Sequence, residues 1–297
     1  MRWAALLLPL LVLAHAAAAE PRVATDDRGD VVRLAAPARR IVSLAPNATE
    51  MTYAAGAGSA LVGAVGSSDF PAAARALPRV GDAFGLDVER IVALRPDLVL
   101  TWPYTVPAQL ATLRARGVRV FTIDSRQVDD IASAIERIGI LAGTEQVAAP
   151  AARTLRQRAR ELEARYRDRP PVRVFYEVWA TPLVTLGGTH LVSRAMETCG
   201  GRNVFASLST PAPTVSIEAV LASAPDAIVA GGDAGARPEW LEEWRRWPAL
   251  PAVSAGNLFA IDADHLHRAG PRFLQGVADL CAILDSARRN LALRTAR

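Results

Sequence analysis

From Val23 to Leu34 the chain reads VATDDRGDVVRL, apolar and polar residues alternating on either side of a D-D-R-G turn, which predicts an amino-terminal β-hairpin. RRIVSLAP then predicts a strand, and NATEMTYAAGAG a helix closed by Gly56 or Gly58. Short apolar runs at Ala60 to Val65, Leu98 to Trp102 and Val118 to Ile123 read as further strands. Helical patterns at Val88 to Leu94, Pro107 to Arg116 and Val128 to Ala142 fall between or after them. Strand and helix alternate, so the expected product is a mostly parallel sheet wrapped by helices.

TEQVAAPAARTLRQRARELEARYR, from Thr144 to Arg167, has no turn signal after Pro150 and is dense in good helix formers. A helix of that length would run roughly 35 Å, the width of a domain. Beyond Pro170 and Pro171 the alternation resumes. VRVFYEVW reads as a strand, LVSRAMETCGG as a helix with a glycine stop, and a last helix is expected from about Arg272 to Arg289. The second half repeats the first: IVSLAPNATEMTYAAGAG matches LVTLGGTHLVSRAMETCGG as strand, loop, helix and glycine. DVERIVALRPDLVL (Asp87 to Leu100) matches SIEAVLASAPDAIVA (Ser216 to Ala230). The fold class expected is therefore α/β. Two similar lobes, residues 20–143 and 171–297, would be joined by one long helix within 144–170.

The first nineteen residues carry Arg2, an apolar run from Leu6 to Leu13 and an A-x-A end at Ala17 to Ala19, the pattern of a cleaved secretory signal peptide. That run is too short to span a bilayer, so the mature chain is expected to be soluble and exported. Export also bears on Cys199 and Cys281, the two cysteines of the chain, because it places them where disulfides form. They are expected to be bridged, with two buried free thiols as the alternative. The formal net charge is only +4 and the 34 basic residues, all arginine, are interspersed with 30 acidic ones, which argues against nucleic acid as a partner.

In the repeated phrase Asp87 and Ser216 are good N-caps, and Glu89 and Glu218 follow two residues into each helix, where a carboxylate suits the positive end of the helix dipole. Helix-start chemistry alone accounts for them. One such glutamate on each lobe is also what a two-fold symmetric partner could grip.

The order RIVSLAPNATEMTYAAGAG, GSSDFP, ERIVALRPDLVL, CGGRNVF, SIEAVLASAPDAIVA, with the long middle helix, resembles the periplasmic binding proteins that feed ABC importers of iron chelates and corrinoids. SDFP, CGGRNVF and the cysteine pair narrow the likeness toward the cobalamin branch. The resemblance covers roughly residues 38–287 and implies a class III binding-protein fold in the periplasm. It implies a monomer that captures cobalamin or a related corrinoid between its lobes, needs no cofactor, and docks transiently on an ABC permease dimer. In it Glu89 and Glu218 meet arginine sockets on the two permease subunits. Phe70, Trp102, Asp264 and Arg268 align with cleft positions, whereas Ala83 and Ala212 stand where some cobalamin-binding members have tryptophan. An iron-siderophore or haem receptor of the same fold is the alternative.

Ligand would sit where loops leave the strand ends. A corrin is broad, mostly apolar and rimmed with amides, so flat aromatic walls suit it. Phe70, Phe84, Trp102, Tyr104 and Trp179 are the candidates, each of which could instead pack in a core, and Asp264, His265 and Arg268 are the polar ones. His265 and His267, two apart on a segment read as extended, would face the same way. A closed metal site needs more ligands than His190 and nearby carboxylates offer, so no protein metal site is expected, though one histidine could reach a chelated metal. G-x-S-x-G, G-x-x-x-x-G-K-[ST] and H-E-x-x-H are all missing, which leaves an extracytoplasmic hydrolase as a remote alternative.

Overall fold

The computed structural model describes residues 20–82, 85–232 and 236–295. The expected signal segment and Phe84 therefore lie outside the described residues. The hairpin is present, with β1 (Arg22–Thr25) antiparallel to β2 (Val31–Leu34). Its turn is organised by buried Asp26. One carboxylate oxygen accepts from the amides of Arg28 and Asp30, each at 2.9 Å, and the other from Thr122 N at 2.9 Å, pinning the hairpin to the neighbouring sheet.

Two four-stranded parallel sheets follow. The first contains β3 (Ile41–Ser43), β4 (Leu61–Ala64), β5 (Leu98–Thr101) and β6 (Val120–Thr122), in the order β4-β3-β5-β6. The second contains β7 (Val172–Glu177), β8 (Gly201–Asn203), β9 (Ala227–Gly232) and β10 (Leu258–Asp262), in the order β8-β7-β9-β10. Strand for strand these are the same topology, so the repeat read in the sequence is a repeat of sheets. β5 and β9 are buried along their whole length, which is why they read as unbroken apolar runs.

The helices of the first lobe are α1 (Pro46–Ala54), α2 (Val88–Ala93), α3 (Pro107–Ala115) and α4 (Val128–Ala142). α5 (Glu145–Tyr166) crosses to the second lobe over 22 residues, about 33 Å at 1.5 Å per residue. The second lobe has α6 (Leu191–Thr198), α7 (Ile217–Ser223), α8 (Trp240–Glu243), α9 (Pro251–Ser254), α10 (Ala263–His267) and α11 (Phe273–Thr295). α4 turns into α5 at Gly143, whose φ of +69° only glycine adopts cheaply. The two helices then pack so closely that a Cβ on Gly139 would meet Ala148 Cβ at 2.3 Å. Arg156 of α5 adds a bidentate pair to Glu136 of α4, at 2.7 and 3.0 Å.

One apolar core runs through both lobes. Met51, Phe121, Ile135 and Leu141 of the first lobe are continuous through Ala148 and Ala152 of α5 with Val172, Met196, Leu280 and Leu284 of the second. Cys199, at the end of α6, is bridged to Cys281 of α11 inside this core. Closing a loop of that length stabilises by about 4 kcal/mol in the chain-entropy account.

Three local expectations change. LVTLGG is not a sheet strand. β7 already fills the matching place in the sheet, and Val184 makes only isolated bridges to Trp179 and Thr214. β8 and β10 went unread, because Gly-Arg-Asn and a short mixed segment form strands only through pairing with β7 and β9. The His265 segment is helical, not extended: Asp262 caps α10 by accepting from Asp264 N at 2.9 Å.

Candidate functional site

Three loops leave the carboxyl ends of β3, β5 and β6 on the first lobe and face the second lobe. The first, running into α1, brings Pro46 and Asn47, the second Trp102 and Tyr104, the third Asp124, Ser125 and Arg126. Opposite them stand His190 at the start of α6, Pro211, and the stretch Leu266 to Ala269, the end of α10 and the residues after it. Together they enclose a cleft of about 570 Å³ between the lobes. An adjoining cavity of about 890 Å³, bordered by α4, α5, α6 and α11, shares Arg126, Thr189 and Leu191 with it. Trp102 and Tyr104 pack edge to face at 5.1 Å and form the aromatic wall.

Charged side chains cross from lobe to lobe at one edge. Glu50 of α1, its side chain 2% exposed, takes two bonds from Arg272, at 2.7 and 3.1 Å. Arg268 reaches Asp69 of the first lobe at 2.5 Å and Asp264 of its own at 2.9 Å. Burial pushes the Asp69 carboxyl up, but the hydrogen bond and charge of Arg268 outweigh it and hold the group below the usual carboxylate range. Arg272 also lies 4.1 Å over the ring of Phe70.

The two histidines of the cleft are neutral at physiological pH. Burial, with a smaller push from His267, lowers His190 from 6.5 to about 4. Burial also lowers His267, against the pull of Asp264. His190 Nδ1 accepts from Val192 N at 3.2 Å as the N-cap of α6. His267 Nε2 lies 3.0 Å from the hydroxyl of fully buried Tyr176.

Of the residues singled out in the sequence, Trp102, Tyr104 and Arg268 line the cleft. Phe70, 44% exposed, lies outside the lining under Arg272. Asp264 stands behind Arg268. Trp179, 56% exposed, leans on Trp240 at 5.7 Å and gives its indole N–H to Thr181 O. His265 points away from the cleft to Asp262 and Asp279, at 3.9 and 3.7 Å, because two residues along a helix turn through about 200° and separate it from His267. Glu89 and Glu218 are exposed at the second positions of α2 and α7, capped by Asp87 (from Arg90 N, 2.8 Å) and Ser216 (from Ala219 N, 3.2 Å). Residue type alone marks neither Ser125 nor, beyond metal ligation, His190. A position following a buried strand, or just before a helix, is the signal that could have marked them. Among the described residues no group of three or more His, Cys, Asp or Glu side chains is arranged to hold a metal ion.

Two equivalent parallel-sheet lobes bridged by one long helix, with a cleft at the strand ends, define a two-lobed binding protein. Residues 41–265 match the periplasmic binding protein family, and the chain belongs to it. Among its relatives is the vitamin B12-binding protein of Vibrio cholerae serotype O1, 38% identical over 255 residues, 85% of this chain and 91% of the relative. The vitamin B12-binding protein of Photorhabdus laumondii is 37% identical, over 83% of this chain and 88% of its own. The crystal structure of the periplasmic vitamin B12-binding protein BtuF of Vibrio cholerae superposes with a TM-score of 0.78, covering 85% of this chain and 98% of that one. The periplasmic haem-binding protein RhuT from Roseiflexus sp. RS-1 is 27% identical, with a TM-score of 0.71 over 84% and 99% of the two chains. These relatives are substrate-binding proteins, and the chain is a substrate-binding protein rather than an enzyme.

Proposed function

We propose that this chain is exported to the periplasm by its first nineteen residues, captures a corrinoid, cobalamin foremost, in the interlobe cleft, and delivers it to the permease of an ABC importer. The observation that carries the reading is its 38% identity, across 85% of the chain, to a vitamin B12-binding protein, against 27% to a haem-binding one. The cleft supports it. The Trp102–Tyr104 wall offers flat apolar surface to a macrocycle, and Arg268, held by Asp69 and Asp264, stands at the opposite side. For delivery, Glu89 and Glu218 are fixed at helix starts on different lobes and outside the cleft lining, free to meet one arginine on each half of a permease dimer.

Calorimetric titration with cyanocobalamin, cobinamide, haemin and ferric siderophores tests this. Corrinoids should bind tightly and the iron chelates weakly, and Trp102→Ala should weaken corrinoid binding by about tenfold or more, the order expected for losing a buried aromatic anchor. Binding of iron chelates alone would replace the corrinoid reading with a haem or siderophore receptor.

A further inference from the structure

Two buried polar atoms among the cleft-lining residues, Asn47 Oδ1 and Ser125 Oγ, have no hydrogen-bond partner. The Asn47 amide is oriented by its other end, since Nδ2 faces Ala269 O at 3.5 Å and a carbonyl can only be met by a donor. The unpaired end is therefore an acceptor. His190 supplies the converse. Its Nδ1 lone pair is engaged by Val192 N–H, so in the neutral ring the proton sits on Nε2. That N–H has no partner among the described residues, and it belongs to a residue that lines the cleft.

The two arginines of the lining are already engaged. Asp124 takes two bonds from Arg126, at 2.7 and 3.0 Å, and Arg268 is shared by Asp69 and Asp264. The unmet demand of the cleft is thus for a neutral group that both donates and accepts. A primary carboxamide does both. A carboxylate only accepts; it would leave Asn47 Oδ1 unpaired and bring a further negative charge to arginines that already carry carboxylate partners.

We propose that Asn47, Ser125 and His190 form a carboxamide-reading set that selects an amide-rimmed macrocycle over a carboxylate-rimmed one. This rests on the corrinoid reading above and assigns a specificity to that same site. His190 acts through its N–H, not as a ligand to the bound metal.

The test uses the mature protein, cyanocobalamin, the separated monocarboxylic acids made by hydrolysing one peripheral amide of cyanocobalamin, aquocobalamin and haemin. At least one monocarboxylate isomer should bind about tenfold more weakly than cyanocobalamin, the order expected when a buried acceptor is left unpaired. Asn47→Ala should shrink that difference to less than about threefold, because the acceptor that penalises a carboxylate is gone. His190→Asn keeps an acceptor for the Val192 amide but has no N–H where Nε2 stood, so at neutral pH, above the titration of His190, it should weaken cyanocobalamin binding about tenfold with an unchanged melting temperature. The visible spectrum of bound aquocobalamin should be the same in wild type and His190→Asn. All isomers binding like cyanocobalamin would overturn the set while leaving the corrinoid reading intact. A wild-type spectral shift abolished by His190→Asn would put a histidine nitrogen on cobalt and overturn the donor role. Binding of haemin with no corrinoid would overturn both readings.

Discussion

Glu177 and His190 are titrating groups whose surroundings act on stability in opposite directions. Burial, reinforced by Glu243 and offset by the Trp244 indole N–H at 2.9 Å, raises Glu177 from 4.5 to about 7. Its folded pKa exceeds the unfolded one, so its contribution is full below pH 4.5 and is lost as pH rises through about 7. His190 is lowered from 6.5 to about 4, so its contribution is full above pH 6.5 and is lost as pH falls through about 4. Glu177→Gln should therefore raise the melting temperature relative to wild type at pH 8 more than at pH 5. His190→Asn should reduce the acid loss between pH 6.5 and 4. Melting curves across pH 4 to 8 check both, and profiles parallel to wild type would contradict them. Glu50 makes a second residue-scale prediction. Arg272→Met strips both hydrogen bonds from a carboxylate whose side chain is 2% exposed and leaves it only Arg268 at 3.9 Å, so it should cost about 3 kcal/mol in urea unfolding. Adding Glu50→Gln should recover part of that loss, since a neutral amide is cheaper to bury than a charge with no hydrogen-bonded partner. The cleft at this scale was only half legible. Trp102, Tyr104 and Arg268 stood out by residue type and resemblance. Asn47 and Ser125 matter because Asn47 Oδ1 and Ser125 Oγ are buried without partners, which no residue type announces.

At the scale of elements, the repeated phrase that opens α2 and α7 was readable because a cap, an acidic second position and an apolar strand after Pro-Asp are all local signals. Both caps close as expected. Glu218, exposed, is held below the usual carboxylate range by its own backbone amide and the Ser216 hydroxyl, so it stays charged for a partner. Changing Glu89 and Glu218 together to arginine should leave corrinoid affinity within about twofold, because neither lines the cleft. It should abolish uptake in cells if the proposed docking holds, because the two attractive contacts proposed with permease arginines would become repulsive. Normal uptake by the double variant would reduce the pair to helix-start residues. Elements that depend on distant partners were not readable. β8 exists because β7 lies beside it, and β10 because it pairs with β9.

For the whole molecule, three connections hold the lobes in one arrangement: α5, the core continuous through it, and the Glu50–Arg272 and Asp69–Arg268 pairs across the cleft edge. Closure on ligand should accordingly be small, since packed interfaces resist graded deformation. Solution scattering with and without cyanocobalamin should show a radius of gyration changing by less than about 1 Å, far below a clamshell closure. A larger drop would mean that the interlobe pairs break and re-form.

The sequence by itself determined what depends on neighbours along the chain: hydrophobic period, caps, glycine stops, the long helix and the duplicated order of elements. The cysteine bridge was expected from it with two free thiols as the alternative, and the fold brings Cys199 and Cys281 together. Only the tertiary structure decided which of the aromatics face the cleft and that arginines of one lobe neutralise carboxylates of the other. Those outcomes turn on which surfaces meet across more than two hundred residues of intervening chain, as between Glu50 and Arg272. Burial and pairing belong to the folded arrangement, and no local pattern in the sequence encodes them.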